Sequence, residues 1–166
     1  MMILMDLNEQ TDRDFSQAWR GAWLRRLASR LLGGSTPHGA PSFDDIQRSL
    51  RAYNRVRRGM RVVDPAKIVG SVGRRKDFDH RFMPLRRAAA ERWRRVDLAF
   101  HKGEVLPPVS LYKLGDDYFV EDGNHRVSVA RFHGAEWIDA DVTELRPAGA
   151  EGRRAQAAPG PASRAA

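Results

Sequence analysis

Asp122-Gly123-Asn124-His125-Arg126 gathers the residue types of an anion site into one short run. The run follows Tyr118-Phe119-Val120, an apolar stretch that reads as a strand. It precedes Val127 to His133, which reads as a short helix closed by Gly134. A glycine at such a junction lets the backbone turn sharply. The first amides of the helix then point outward, with the positive end of the helix dipole behind them. Arg126 in the first turn adds a planar fork of donors suited to phosphate. His125 can donate to a phosphate or transfer a proton, and Asn124 is a candidate cap. Gly123, Asn124, His125 and Arg126 are therefore the candidate phosphate-binding residues, and His125 and Asp122 the candidate catalytic ones. The plain alternative for His125 is a half-exposed histidine bonded to backbone.

Carboxylates beside a phosphate site raise the question of a metal. Mg²⁺ commonly keeps one or two carboxylates near a phosphate. Asp122 and its neighbour Glu121 are adjacent in a strand and so face opposite sides. Asp122, at the turn, is the candidate metal ligand. Asp77 and Asp79 in Asp77-Phe78-Asp79-His80 form a second carboxylate group able to join a metal site. The chain has no cysteine, which removes disulfides, zinc–thiolate sites and thiol catalysis. It has no Walker A loop, no His-Glu-x-x-His and no serine-triad pattern.

The elements that must position these residues follow from periodicity. Phe15, Trp19, Trp23, Leu27 and Leu31 recur every four residues and predict a helix over 12–32, its aromatics docked on the core. Residues 35–41 read as a linker. Ser42 reads as an N-cap for a second helix over about 43–58, with Phe43, Ile46, Leu50 and Tyr53 as its stripe. Arg61-Val62-Val63 starts a strand. Ile68 to Arg74, with two glycines and a serine, reads as a loop whose backbone approaches something closely. Leu85, Ala89, Trp93, Val96 and Phe100 predict a helix over 84–102, with Arg87 and Arg94 pointing away from that stripe and Arg86 and Arg92 flanking it. Val109–Leu114 and Tyr118–Glu121 read as a hairpin around Gly115-Asp116-Asp117. Glu136 to Val142 reads as a last strand, and the Ala-, Gly-, Pro- and Arg-rich stretch 147–166 as a disordered tail.

Net charge is +8 over 166 residues, with a pI of about 10.7, and it is unevenly spread. Residues 61–105 carry 12 Lys and Arg against 6 Asp and Glu, whereas 106–146 carry 4 against 8. A basic excess favours polyanionic partners. Arg86, Arg87, Arg94 and Arg95 on the 84–102 helix are the candidate nucleic-acid contacts, the alternative being a solvated helix face. No apolar run approaches the roughly 20 residues of a membrane span, and the N-terminus lacks a basic secretory n-region. Cytoplasm is the compartment expected, and a membrane is not an expected partner.

Gly123-Asn124-His125-Arg126 at a helix start resembles the phosphate-binding turn of the ParB/sulfiredoxin superfamily. ParB proteins have Gly-Glu-Arg-Arg there and sulfiredoxins Gly-Cys-His-Arg. Leu106-Pro107-Pro108-Val109 entering a strand, the hairpin, the glycine turn and the helix are similar to that core, over about residues 62–145. The resemblance implies an α/β (α+β) fold, with a small mixed sheet flanked by helices. A helical N-terminal extension (1–60) would precede a core domain (61–146) and a tail (147–166). It implies CTP or ATP bound with Mg²⁺, in a DNA-associated protein of the chromosome-partitioning kind. Nucleotide and DNA would be its partners, with a second copy of the chain as a further candidate. It places Arg74 at the phosphate, where a solvent-facing arginine is the alternative reading. Binding as a conformational switch with slow NTP hydrolysis is the function expected. A metal-dependent ParB-like nuclease and a non-catalytic DNA-binding module are the alternatives. Asn124 stands where sulfiredoxins carry the catalytic cysteine, so sulfiredoxin chemistry is excluded.

Overall fold

A computed structural model describes residues 2–31, 43–73 and 77–147. The expected linker 35–41, the Ser42 cap, Arg74 and the tail from 148 onward lie outside the described residues.

Among the described residues, five strands form one mixed sheet in the order β1-β5-β3-β4-β2. They are β1 (Asn54–Val63), β2 (Ile68–Ser71), β3 (Val109–Leu114), β4 (Asp117–Asp122) and β5 (Ile138–Arg146). β1 pairs with β5 and β3 with β4 in antiparallel fashion, while β3–β5 and β2–β4 are parallel. Alternation divides the side chains between two faces. Val109, Leu111, Val120, Ala140 and Val142 point to one face, where Val127 of α4 (Asn124–Phe132) packs with Phe78 and Phe82. Tyr112, Leu114, Phe119 and Leu145 point to the other, where Phe43 of α2 (Phe43–Leu50) closes the core. A third cluster stacks α1 (Met2–Leu31) on α3 (Ala90–His101) and on the outer side of α4, around Trp93, Phe15 and Val129. The fold is thus α+β, a small mixed sheet with helices on both faces and two helices preceding the first strand.

Several boundaries differ from the sequence reading. Helix α1 begins at Met2 rather than near residue 12. Its buried stripe is Thr11, Phe15, Ala18 and Ala22, because the two alanines let the helix approach α3 closely. Trp23, Leu27 and Leu31, expected in the core, are exposed. The helix expected over 43–58 ends at Leu50, and residues 54–63 form strand β1, which crosses the boundary expected at 60/61. Register explains the switch: Arg57 pairs with Asp141 at 3.1 Å and Arg58 with Glu144 across the β1–β5 ladder. Ile68 to Ser71 is a strand and not a loop, since its backbone is satisfied by β4. The expected 84–102 helix opens with a single tight turn at Arg87–Ala89 and becomes α-helical at Ala90.

Candidate phosphate site

Gly123 makes the turn between β4 and α4. Its φ of 100° and ψ of 25° lie in the left-handed region that disfavours side chains. A Cβ there would sit 2.7 Å from Val109 Cγ1 and 3.1 Å from the Arg126 guanidinium carbon. Both the dihedral and the close approach demand glycine. Gly123 is itself the N-cap, so Asn124 is the first helical residue and not the cap expected of it. Asn124 is 7% exposed, and its Oδ1 accepts no hydrogen bond among the described residues. The hydrogen-bond ladder of α4 opens with Val127 N–H donating to Gly123 O at 3.0 Å. The amides preceding Val127 therefore stand at the positive end of the helix, facing out of it.

Arg126 behaves differently from the expectation that its guanidinium holds phosphate. Nη1 donates to the carbonyls of Pro107 (2.6 Å) and Pro108 (2.7 Å), and Nη2 donates to Asp122 Oδ2 (2.6 Å). The side chain is only 16% exposed, so both terminal nitrogens are spent inside the chain. Arg126 braces the turn against the entry to β3 and cancels the Asp122 charge. The Pro-Pro dipeptide, read from sequence only as a strand opener, supplies two of its three acceptors. Asp122 is 76% exposed at the lip and joins no group of converging carboxylates and histidines among the described residues.

The turn forms one wall of a cleft of about 260 Å³. Asp122 to Arg126 line that wall, and Arg92, Arg95 and Val96 of α3 line the other. Arg92 makes no ion pair or hydrogen bond among the described residues, and Arg95 bonds only to the exposed Glu91 at 3.0 Å. Sequence reading assigned Arg92 only to the flank of the helix stripe and Arg95 to nucleic acid. The structure turns both toward the glycine turn. His125 lines the same cleft, with its ring edge against Phe78 at 5.3 Å. A larger hollow of about 570 Å³ runs beside α1, and the described residues lining it all come from that one helix.

The remaining candidates are placed elsewhere. Arg86 reaches Asp77 at 3.4 Å, Arg87 lies over the Trp19 ring at 4.6 Å, and Arg94 pairs with Asp12 at 2.7 Å over the Phe15 ring. Arg87 and Arg94 thus lean onto α1, which covers that side of α3, while Arg87 stays exposed and the Arg94 side chain is 42% exposed. The Asp77/Asp79 metal group is also corrected. Asp79 Oδ1 accepts the Arg81 and Met83 amides, and Oδ2 accepts Arg25 Nε and Nη2, so the carboxylate is a loop anchor with no lone pairs set aside for a cation.

No family model matches this chain, and no curated protein matches it. Among solved structures, sulfiredoxin from Arabidopsis thaliana is similar, with a TM-score of 0.38 and 14% identity. The match covers 60% of this chain and 98% of that one. The fold class rests on the strand order and helix placement themselves and not on a likeness of that size. Among the described residues, no helix is long and apolar enough to cross a membrane.

Proposed function

We propose that the cleft between α3 and the Gly123 turn binds the phosphate chain of a nucleotide. The observation that carries this reading is convergence. An uncommitted arginine, Arg92, stands across about 260 Å³ of open space from the amide end of α4. Helix amides and arginine together form a phosphate grip, one fixed by the backbone and the other adjustable. The volume falls just below the range of about 300–1,000 Å³ typical of whole-ligand pockets, so it suits phosphates with the nucleoside outside. Asp122 at the lip offers one carboxylate oxygen not bonded to Arg126. That fits a Mg²⁺ held mainly by phosphates and water. CTP and ATP are the nucleotides that the turn's resemblance favours.

Calorimetric titration with CTP, ATP and GTP, with and without Mg²⁺, tests the proposal. Wild-type protein should bind at least one of the three, and Arg92→Ala with Arg95→Ala should weaken binding by at least about tenfold without lowering thermal stability. Absent binding, or an affinity indifferent to both substitutions, refutes it.

A further inference from the structure

At the opposite end of α4 four side chains from three helices converge. Asp14 comes from α1, Asp97 and His101 from α3, and His133 from the C-cap of α4. One potential ligand atom from each lies within 4.8 Å of all the others. His133 Nε2 is 2.6 Å from Asp97 Oδ1, and His101 Nε2 is 2.8 Å from Asp14 Oδ2 and 3.7 Å from Asp97 Oδ2. We propose that these four residues form a closed binding site for a divalent transition metal of the zinc class.

Asp97 carries most of the argument. It is 0% exposed, and its Oδ2 accepts no hydrogen bond among the described residues. A buried carboxylate is costly unless paired or coordinated to a metal. The unsatisfied oxygen faces into the cluster, toward His101. A second carboxylate, Asp14, enters the same space with a side chain only 17% exposed. Two carboxylates thus converge in one half-sealed pocket, and a cation between them would supply the positive centre they share.

The donor set selects the class of cation. Two imidazole nitrogens with two carboxylate oxygens suit zinc and its neighbours, whereas Mg²⁺ and Ca²⁺ favour oxygen alone. Tetrahedral bonds of about 2.0–2.2 Å would set the ligand atoms about 3.3–3.5 Å apart. With Oδ2 as the one ligand oxygen of Asp97, the 2.8 Å contact between His101 and Asp14 would open by about 0.5–0.7 Å, and the 3.7 Å contact between His101 and Asp97 would close by about 0.2–0.4 Å. Phe100 stacks on His133 at 4.5 Å and shields the site. With four protein ligands, the ion would have no open position, so it would clamp α1, α3 and α4 and would not catalyse. The cluster lies about 13 Å along α4 from the Gly123 turn and is separate from the phosphate cleft.

The test uses the full, untagged chain stripped with EDTA. Zn²⁺ should bind at one ion per chain, and at a hundred times its Kd should raise Tm by about 5–10 °C. Mg²⁺ should do neither. Co²⁺ should give the intense visible bands of a tetrahedral site. Asp14→Asn, at the partly exposed rim, keeps the helix packing and should weaken zinc binding by more than about 100-fold. No zinc binding by the wild type, a Co²⁺ spectrum of octahedral type, or unchanged affinity in Asp14→Asn would each overturn the proposal and leave a metal-free His–Asp hydrogen-bond cluster.

Discussion

Gly123→Ala separates two costs that the turn combines. Residue 123 sits at φ 100°, and holding a side chain in the left-handed region costs about 1–2 kcal/mol. The new methyl would also stand 2.7 Å from Val109 Cγ1. Val109 is fully buried and β-branched, so it cannot rotate away. The guanidinium 3.1 Å off on the other side is held by its bonds to Pro107, Pro108 and Asp122. Overpacking of this kind costs about 1–3 kcal/mol more. The total of about 2–5 kcal/mol corresponds to a fall of about 4–20 °C in Tm for a chain of this size. Gly134→Ala supplies the control. It has φ 67° but no heavy atom within 4 Å of the added methyl, so it carries the backbone cost alone, about 2–8 °C. Calorimetric melts of the two variants read the difference. Adding Val109→Ala to Gly123→Ala should cost less than the sum of the single changes, because the colliding methyl is gone. Equal melting temperatures for Gly123→Ala and Gly134→Ala, or strict additivity with Val109→Ala, would refute the close-approach argument.

Two further outcomes follow from buried and paired groups. Ser128→Ala removes the acceptor, 2.9 Å away, of the Trp93 indole N–H, with both residues fully buried; it should lower stability in urea by about 1–3 kcal/mol, and Trp93→Phe with Ser128→Ala should cost less than the two single changes added. Glu144 is pushed up by burial, but hydrogen bonds from Arg58 and Arg146 outweigh this and hold its pKa below the usual 4.5. A carboxylate with a depressed folded pKa stabilises the fold above its unfolded pKa and loses that contribution as pH falls through the folded value. Glu144→Gln should therefore be less stable than wild type at neutral pH, with the gap closing below about pH 4 in denaturant titrations; a gap constant with pH would exclude the ion-pair account.

What the sequence made legible were the elements with local punctuation. β3 runs from Val109 to Leu114 as its alternation and the Pro-Pro entry indicate, and α4 is bracketed by Gly123 and Gly134 as expected. Elements fixed by distant partners were not legible. The spacing of Arg48, Arg51, Arg55 and Arg58 imitates a helical face, yet residues 54–63 are an edge strand. Arg57 and Arg58 there answer carboxylates on β5 more than eighty positions away. In α1 the four-residue aromatic ladder outshone the Ala18–Ala22 seam that packs, because small residues carry little hydrophobic signal by themselves. The location of the phosphate turn could be read, but the role of Arg126 could not. Its acceptors at Pro107 and Pro108 lie 19 and 18 residues upstream and meet it only when β3 and β4 pair. Asp97 and His101 stand one helical turn apart, a pair the sequence reading passed over, and Asp14 and His133 join them only through the fold.

The arrangement of α3 ties these parts together. Arg92, Arg95 and Val96 share the side that faces the cleft. Asp97 and His101 lie roughly 160° around the same helix, in the cluster with Asp14 and His133. Trp93 sits between the two faces, fully buried, with its ring edge-on to Phe15 and Phe132 and its N–H on Ser128 of α4. A large, hydrogen-bonded aromatic in a close-packed cluster fixes the rotation of a helix more firmly than aliphatic contacts do. Rotating α3 would move Arg92 off the cleft and Asp97 off His133 together, so the setting that aims the arginines at the Gly123 turn also assembles the four-residue cluster.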